Sequence, residues 1–327
     1  MAEAVPSKDE IMALANDVLK YAVERRLTEA NYTVKSDPNY QRMSDWIRSQ
    51  YSWIVDAFAH ACSYAPDDVK AFDPLIEGPR RAEEALTGGA ELHLAQVDKH
   101  GSVVASGAKA ADPFWSSVSG VQAKVGEWTG DAADNFRQNF LTYLSAVPAN
   151  QSVVCRSLYL SMEVTKEIYS LYLIGLKELG TKARGILHPS LCHGVDINLT
   201  IKIAAGVSKI VAGIATLEEG GVFVAIEGGM SLVEAYSEGN EGGGKEMTIS
   251  GTSASDVLDS VDEILKEMER SLDDREQELV ALLNTNADGL GGGSKKFYLV
   301  PHPSVVDVAN RPGLATDPNT TLWNEFD

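Results

Sequence analysis

Apolar residues recur at steps of three and four through most of the chain, a periodicity that predicts α-helices over strands. Over 8–27, Ile11, Leu14, Val18 and Ala22 fall on one helical face. Asp37-Pro38 supplies a start signal, with proline near the first helical position. Beyond it, Tyr40, Met43, Ile47, Tyr51, Ile54, Phe58 and Ala61 keep a heptad-like stripe up to a break at Tyr64-Ala65-Pro66. Residues 1–70 therefore read as a helical hairpin. Residues 71–111 lose the periodicity and read as an irregular connector. Within them, "ELHLAQVDKHGSVVASG" fits either a short β-hairpin turning at Lys99-His100-Gly101 or coil.

The helical pattern returns over 112–183. Phe114, Trp115, Val118, Val121 and Val125 lead into Trp128, and Ala133, Phe136, Phe140 and Tyr143 continue after Gly130. Asp131 stands where a helix N-terminus favours an acid. Past Pro148, one long helix is predicted to about Lys182, with Val154, Leu158, Met162, Thr165, Tyr169, Tyr172, Leu176 and Leu179 on one side. Residues 195–238 are rich in Gly and Ala and read as closely packed short helices. Residues 246–290 read as a strand, Met247–Ser250, then a capped helix whose seam is Leu258, Val261, Leu265, Met268, Leu272, Leu279 and Leu282, with Arg275 intruding. Residues 291–327 read as an extended or disordered tail, its strand-like "KKFYLV" a candidate to dock on Met247–Ser250. The expected fold is mainly α: an elongated antiparallel helical bundle with minor short β-strands.

Charge narrows the partners. The 28 Lys+Arg stand against 47 Asp+Glu, a net charge of −19, so phosphate backbones are repelled and nucleic acid is not expected. The start of the chain lacks the basic and apolar regions of a secretory leader, and no window is apolar enough for a transmembrane helix. Three widely spaced cysteines make no disulfide framework.

Catalytic motifs are not evident: the sequence has no Gly-x-Ser-x-Gly elbow, no phosphate-binding Walker loop and no His-Glu-x-x-His. His188, Cys192 and His193 lie close together but fall short of a tetrahedral zinc set. The expectation is a non-enzymatic protein with no cofactor and no metal.

One stretch, "VGEWTGDAADNFRQNF" over 125–140, places a bulky indole at a helix break. Trp128-Thr129-Gly130, set between two amphipathic segments, resembles the turn motif of the WXG100 superfamily. Those proteins are helical hairpins exported by type VII (ESX) secretion systems. The later layout, a Gly/Ala-rich segment, "MTISGTS" and a capped helix, is similar to larger actinobacterial members. The family's second export mark, Tyr-x-x-x-Asp/Glu, has two matches, Tyr64…Asp68 and Tyr159…Glu163. In the PE/PPE-type and EspB-like substrates, the Tyr and Trp lie side by side at the bundle tip.

The resemblance implies a leaderless secreted or cell-surface protein, cytoplasmic before export, bound by a secretion ATPase or chaperone through Trp128 and Gly130. Alternatives remain open at this stage: a homo-oligomeric or membrane-associating protein acting through 195–238, the delivery part of a toxin, or a cytoplasmic structural protein in which Trp128 only plugs a turn.

Overall fold

A computed structural model describes residues 4–32, 35–36, 38–87, 96–97, 103–104, 120–121, 123–137, 146–188, 199–203 and 245–291. The protein is predominantly helical. Its elements are α1 (Lys8–Glu29), α2 (Pro38–Tyr51), α3 (Trp53–Ser63), a 3-10 turn (Val69–Phe72), α4 (Asp73–Thr87), β1 (Gln96–Val97), β2 (Val103–Val104), α5 (Asp131–Phe136), α6 (Ala146–Leu187), β3 (Leu199–Ile203), β4 (Lys245–Ile249) and α7 (Ala254–Gly291). The chain forms two compact units assembled from distant stretches. The first takes α1 to α3, α6 from Met162 onward, β3, β4 and α7 up to Leu283; the second takes α4, β1, β2, α5 and α6 up to Ser161.

In the first unit, the ends of α1 follow from its sequence. Ser7 accepts a hydrogen bond from the Glu10 N–H at 3.2 Å, supplying an N-cap. At the other end Asn31 adopts φ 62°, with Asn31 N–H bonded to Thr28 C=O and Tyr32 N–H to Leu27 C=O. That pair of bonds is a Schellman ending with asparagine in the usual glycine place. Between the caps Ile11, Val18 and Ala22 of the predicted face are fully buried, Ala15 joins them, and Leu14 is half-buried.

The sequence predicts one apolar side for α6. The buried side is wider than that: Leu171, Tyr172, Leu173 and Ile174 are buried in succession, with Ile168, Leu176, Leu179 and Leu187, while Thr181 and Gly185 stay exposed. Four buried residues in a row enclose one full turn of the helix in the core. Each such side chain contributes about 1.5–3 kcal/mol by leaving water. Gly180 allows close approach: a Cβ there stands 3.2 Å from the Cβ of Leu14 on α1. α7 lays its predicted seam into the same core, with Leu258, Val261, Leu265, Met268, Leu272 and Leu279 all buried.

A buried ion pair joins three helix ends. Arg25 is 5% exposed; its Nε reaches Glu29 Oε1, its Nη1 donates to Ile186 C=O at 2.9 Å and its Nη2 to Thr252 C=O at 2.9 Å. Glu29 Oε1 in turn accepts the Ala254 N–H at 2.9 Å. A cation thus meets the carbonyl end of α6 and an anion the amide end of α7, each matching the partial charge it faces.

Two expectations change here. Residues 199–203, placed among the short helices of 195–238, form β3, which pairs antiparallel with β4 from Leu199↔Ile249 to Ile203↔Lys245. Leu-Thr-Ile-Lys-Ile alternates apolar and polar with branched residues, a strand pattern masked by the Gly/Ala-rich texture that follows. The partner of the 245–249 strand is therefore β3; "KKFYLV" lies outside the described residues, as do 204–244 and the 292–327 tail.

In the second unit, the expected irregular connector of 71–111 contains α4, a 15-residue helix. Gly78 and Pro79 inside it hide it from a periodicity reading, since an interior proline costs about 3 kcal/mol. Ile76 is buried, Glu77 pairs with Arg81 at 2.6 Å, and Arg80 lies 5.3 Å over the Tyr159 ring of α6. β1 and β2 pair antiparallel, Gln96↔Val104 and Val97↔Val103. No described helix is long and apolar enough to cross a membrane.

Candidate functional site

The Trp-Thr-Gly turn lies in the second unit. Residues 120, 121 and 123–126 are helical, and the chain tightens through Glu127 N–H to Lys124 C=O and Trp128 N–H to Val125 C=O, at 3.1 Å for the latter. Gly130 then takes φ 101°, ψ 170°, a region open in practice only to glycine. Its carbonyl accepts the N–H groups of Ala133 at 3.0 Å and Asp134 at 3.1 Å, starting α5. No heavy atom lies within 4 Å of a Cβ built at Gly130, so the requirement for glycine comes from the backbone and not from packing. Asp131 and Asp134 in the first turn face the positive helix end, as the sequence predicts for Asp131.

Arg137 completes the turn. Its Nη2 donates to Val125 C=O at 3.0 Å, to Gly126 C=O at 3.2 Å and to Trp128 C=O, while Nη1 holds Asp134 at 2.7 Å. One guanidinium therefore gathers the last carbonyls of the preceding helix, groups left without helical partners. This role escapes a sequence reading, because it joins residues nine to twelve positions apart. Arg137 stands on the opposite side of the turn from the carbonyls it binds, and no local motif marks it.

The indole itself is exposed. Trp128 is 55% exposed, its ring 6.1 Å from Phe136 and tilted 40°, while Val125 and Ala133 are buried. Trp128 is therefore not a buried plug, and the buried positions of the turn are the smaller Val125 and Ala133. Glu127, Asp131 and Asp134 give the surroundings of the ring an acidic character. Asp134 among these is paired with Arg137. The indole presents a large apolar surface with few rotatable bonds.

The tyrosine pairs are built differently. Tyr64 lies in the first unit at the C-cap of α3, 38% exposed, its hydroxyl 3.3 Å from His60 Nε2 and the rings edge-on at 5.2 Å. The chain leaves the helix after Tyr64, and Asp68 starts a new turn by accepting the Lys70 N–H at 2.9 Å. Tyr64 and Asp68 thus share no helical face. The adjacent Asp67 takes the ion pair with Lys8 at 2.8 Å, whose ammonium holds its carboxyl below the ordinary range. Tyr159 and Glu163 do share a face of α6, both half-buried, with Arg80 over the tyrosine ring. Tyr64 and Trp128 belong to different units.

Of the predicted histidine cluster, His188 packs on Tyr21 with ring centroids 4.9 Å apart; Cys192 and His193 lie outside the described residues. Comparison with protein-family models, curated proteins and solved structures finds no match.

Proposed function

We propose that the protein is a non-enzymatic substrate of a type VII (ESX-like) secretion system, recognised through the Trp128–Gly130 turn by the system's ATPase or by a chaperone. The observation that carries this reading is the exposure of Trp128 on a backbone fixed by Gly130 and Arg137. A tryptophan that is not needed in the core, yet is held rigid, suits a receptor pocket; residues of this kind carry about 2 kcal/mol or more of binding energy at interface centres. The similarity of Trp128-Thr129-Gly130 to the WXG turn supplies the class of receptor. Tyr159 and Glu163, on one face of α6, offer a better-formed second mark than Tyr64 and Asp68.

The test is direct binding of a type VII ATPase's cytosolic domains to purified wild-type and Trp128→Ala protein. Loss of binding in the variant supports the reading; equal binding by both contradicts it.

A further inference from the structure

Arg275 of α7 interrupts the apolar seam between Leu272 and Leu279, and it is buried to 7% exposure. Its Nε and Nη2 atoms are shielded from solvent and reach no acceptor among the described residues. The charge acting on it most directly is that of Glu278, three residues along and exposed, which opposes the lowering of the arginine pKa by burial. The contrast with Arg25 is instructive: that guanidinium is equally buried but has an acceptor for every nitrogen.

The two orphaned atoms form one edge of the guanidinium. Nε–H and Nη2–H point in parallel, at the spacing of the two oxygens of a carboxylate. A buried cation with this edge unfilled is strongly disfavoured, and an anion bound side-on relieves it. We propose that Arg275 is a carboxylate-binding site, taking one singly charged carboxylate in bidentate fashion along its Nε–Nη2 edge. Asp273, Asp274, Glu276 and Glu278 flank the position, and the chain carries −19 overall, so doubly charged anions such as phosphate are selected against. The carboxylate comes either from a small free acid or from an acidic side chain on a second copy of this chain. Local openings of the helix give a small anion access to the edge.

The test follows the side-chain Nε–H resonance of Arg275 in the full-length protein, assigned through its side-chain carbons, as acetate replaces chloride at constant ionic strength. A saturable shift, with a parallel rise in the thermal unfolding midpoint, is expected for the free-acid source. For the second-copy source, the resonance moves on dilution in chloride alone. Arg275→Lys keeps the charge and loses the fork, so its midpoint is expected to gain nothing from acetate over chloride. Arg275→Met removes the unpaired charge and is expected to unfold in chloride at or above the wild-type temperature. A wild-type resonance that neither acetate nor dilution moves overturns the proposal, and that measurement stands whether or not the variants fold.

Discussion

At the scale of single residues, the first unit relies on positions that a helical wheel treats as ordinary. Asn31 holds a left-handed backbone at the end of α1. Replacing it with alanine is expected to cost about 1 kcal/mol, because a Cβ without a compensating polar group is disfavoured there, whereas Asn31→Gly is expected to be neutral or better. Chemical denaturation of the two variants distinguishes these outcomes.

Arg25 and Glu29 make a larger claim. With side-chain exposures of 7% and 16%, the pair is buried, and removing one partner leaves a charge inside the protein. Arg25→Met or Glu29→Gln is expected to destabilise by about 3–5 kcal/mol, and the double replacement by less than the sum. In the sequence Arg25 and Arg26 are adjacent and chemically alike. Only the structure separates them, since the side chain of Arg26 is 48% exposed. Arg275 is different: its place in the apolar seam is visible in the sequence as an intrusion, but its orphaned edge is not.

At the scale of elements, strongly periodic helices with capping residues are legible, and interrupted ones are not. α7 announces itself through its seam and through the Ser/Thr/Asp run before it. That run forms a reciprocal cap, in which the Asp256 N–H donates to Ser253 Oγ at 3.2 Å and the Ser253 N–H to Asp256 Oδ2 at 3.0 Å. Ser253→Ala is expected to cost about 1 kcal/mol in denaturation. The same cap gives a pH dependence. Hydrogen bonds from Ser253, and then Thr252, hold the Asp256 carboxyl below its ordinary pKa. Its contribution is thus complete above the ordinary carboxylate range and is lost as pH falls through the depressed value. Asp256→Asn is expected to flatten the loss of stability on acidification.

α4 escapes the periodicity reading because Gly78-Pro79 carries breaker chemistry that tertiary contacts override. β3 escapes because five alternating residues adjoin a long Gly/Ala-rich run. The Trp128–Gly130 turn is half legible. Trp128, Gly130 and Asp131 mark it in the sequence, while Arg137 and the prop Phe136 take their roles only from the fold. Gly130→Ala is expected to cost about 1–3 kcal/mol through backbone strain alone, as no neighbour crowds a Cβ there.

At the scale of the molecule, the proposed function assigns stability to the buried helices and recognition to the turn that carries the exposed Trp128. The two roles are separable on this account. Trp128 is 55% exposed and contributes little packing, so Trp128→Ala is expected to change stability by no more than about 0.5 kcal/mol. The most direct measurement is export of wild-type and Trp128→Ala protein from a type VII-competent host, with thermal unfolding of both purified chains alongside. Matched unfolding midpoints and loss of the variant from the secreted fraction are expected. Equal secretion of the two proteins contradicts the proposed function.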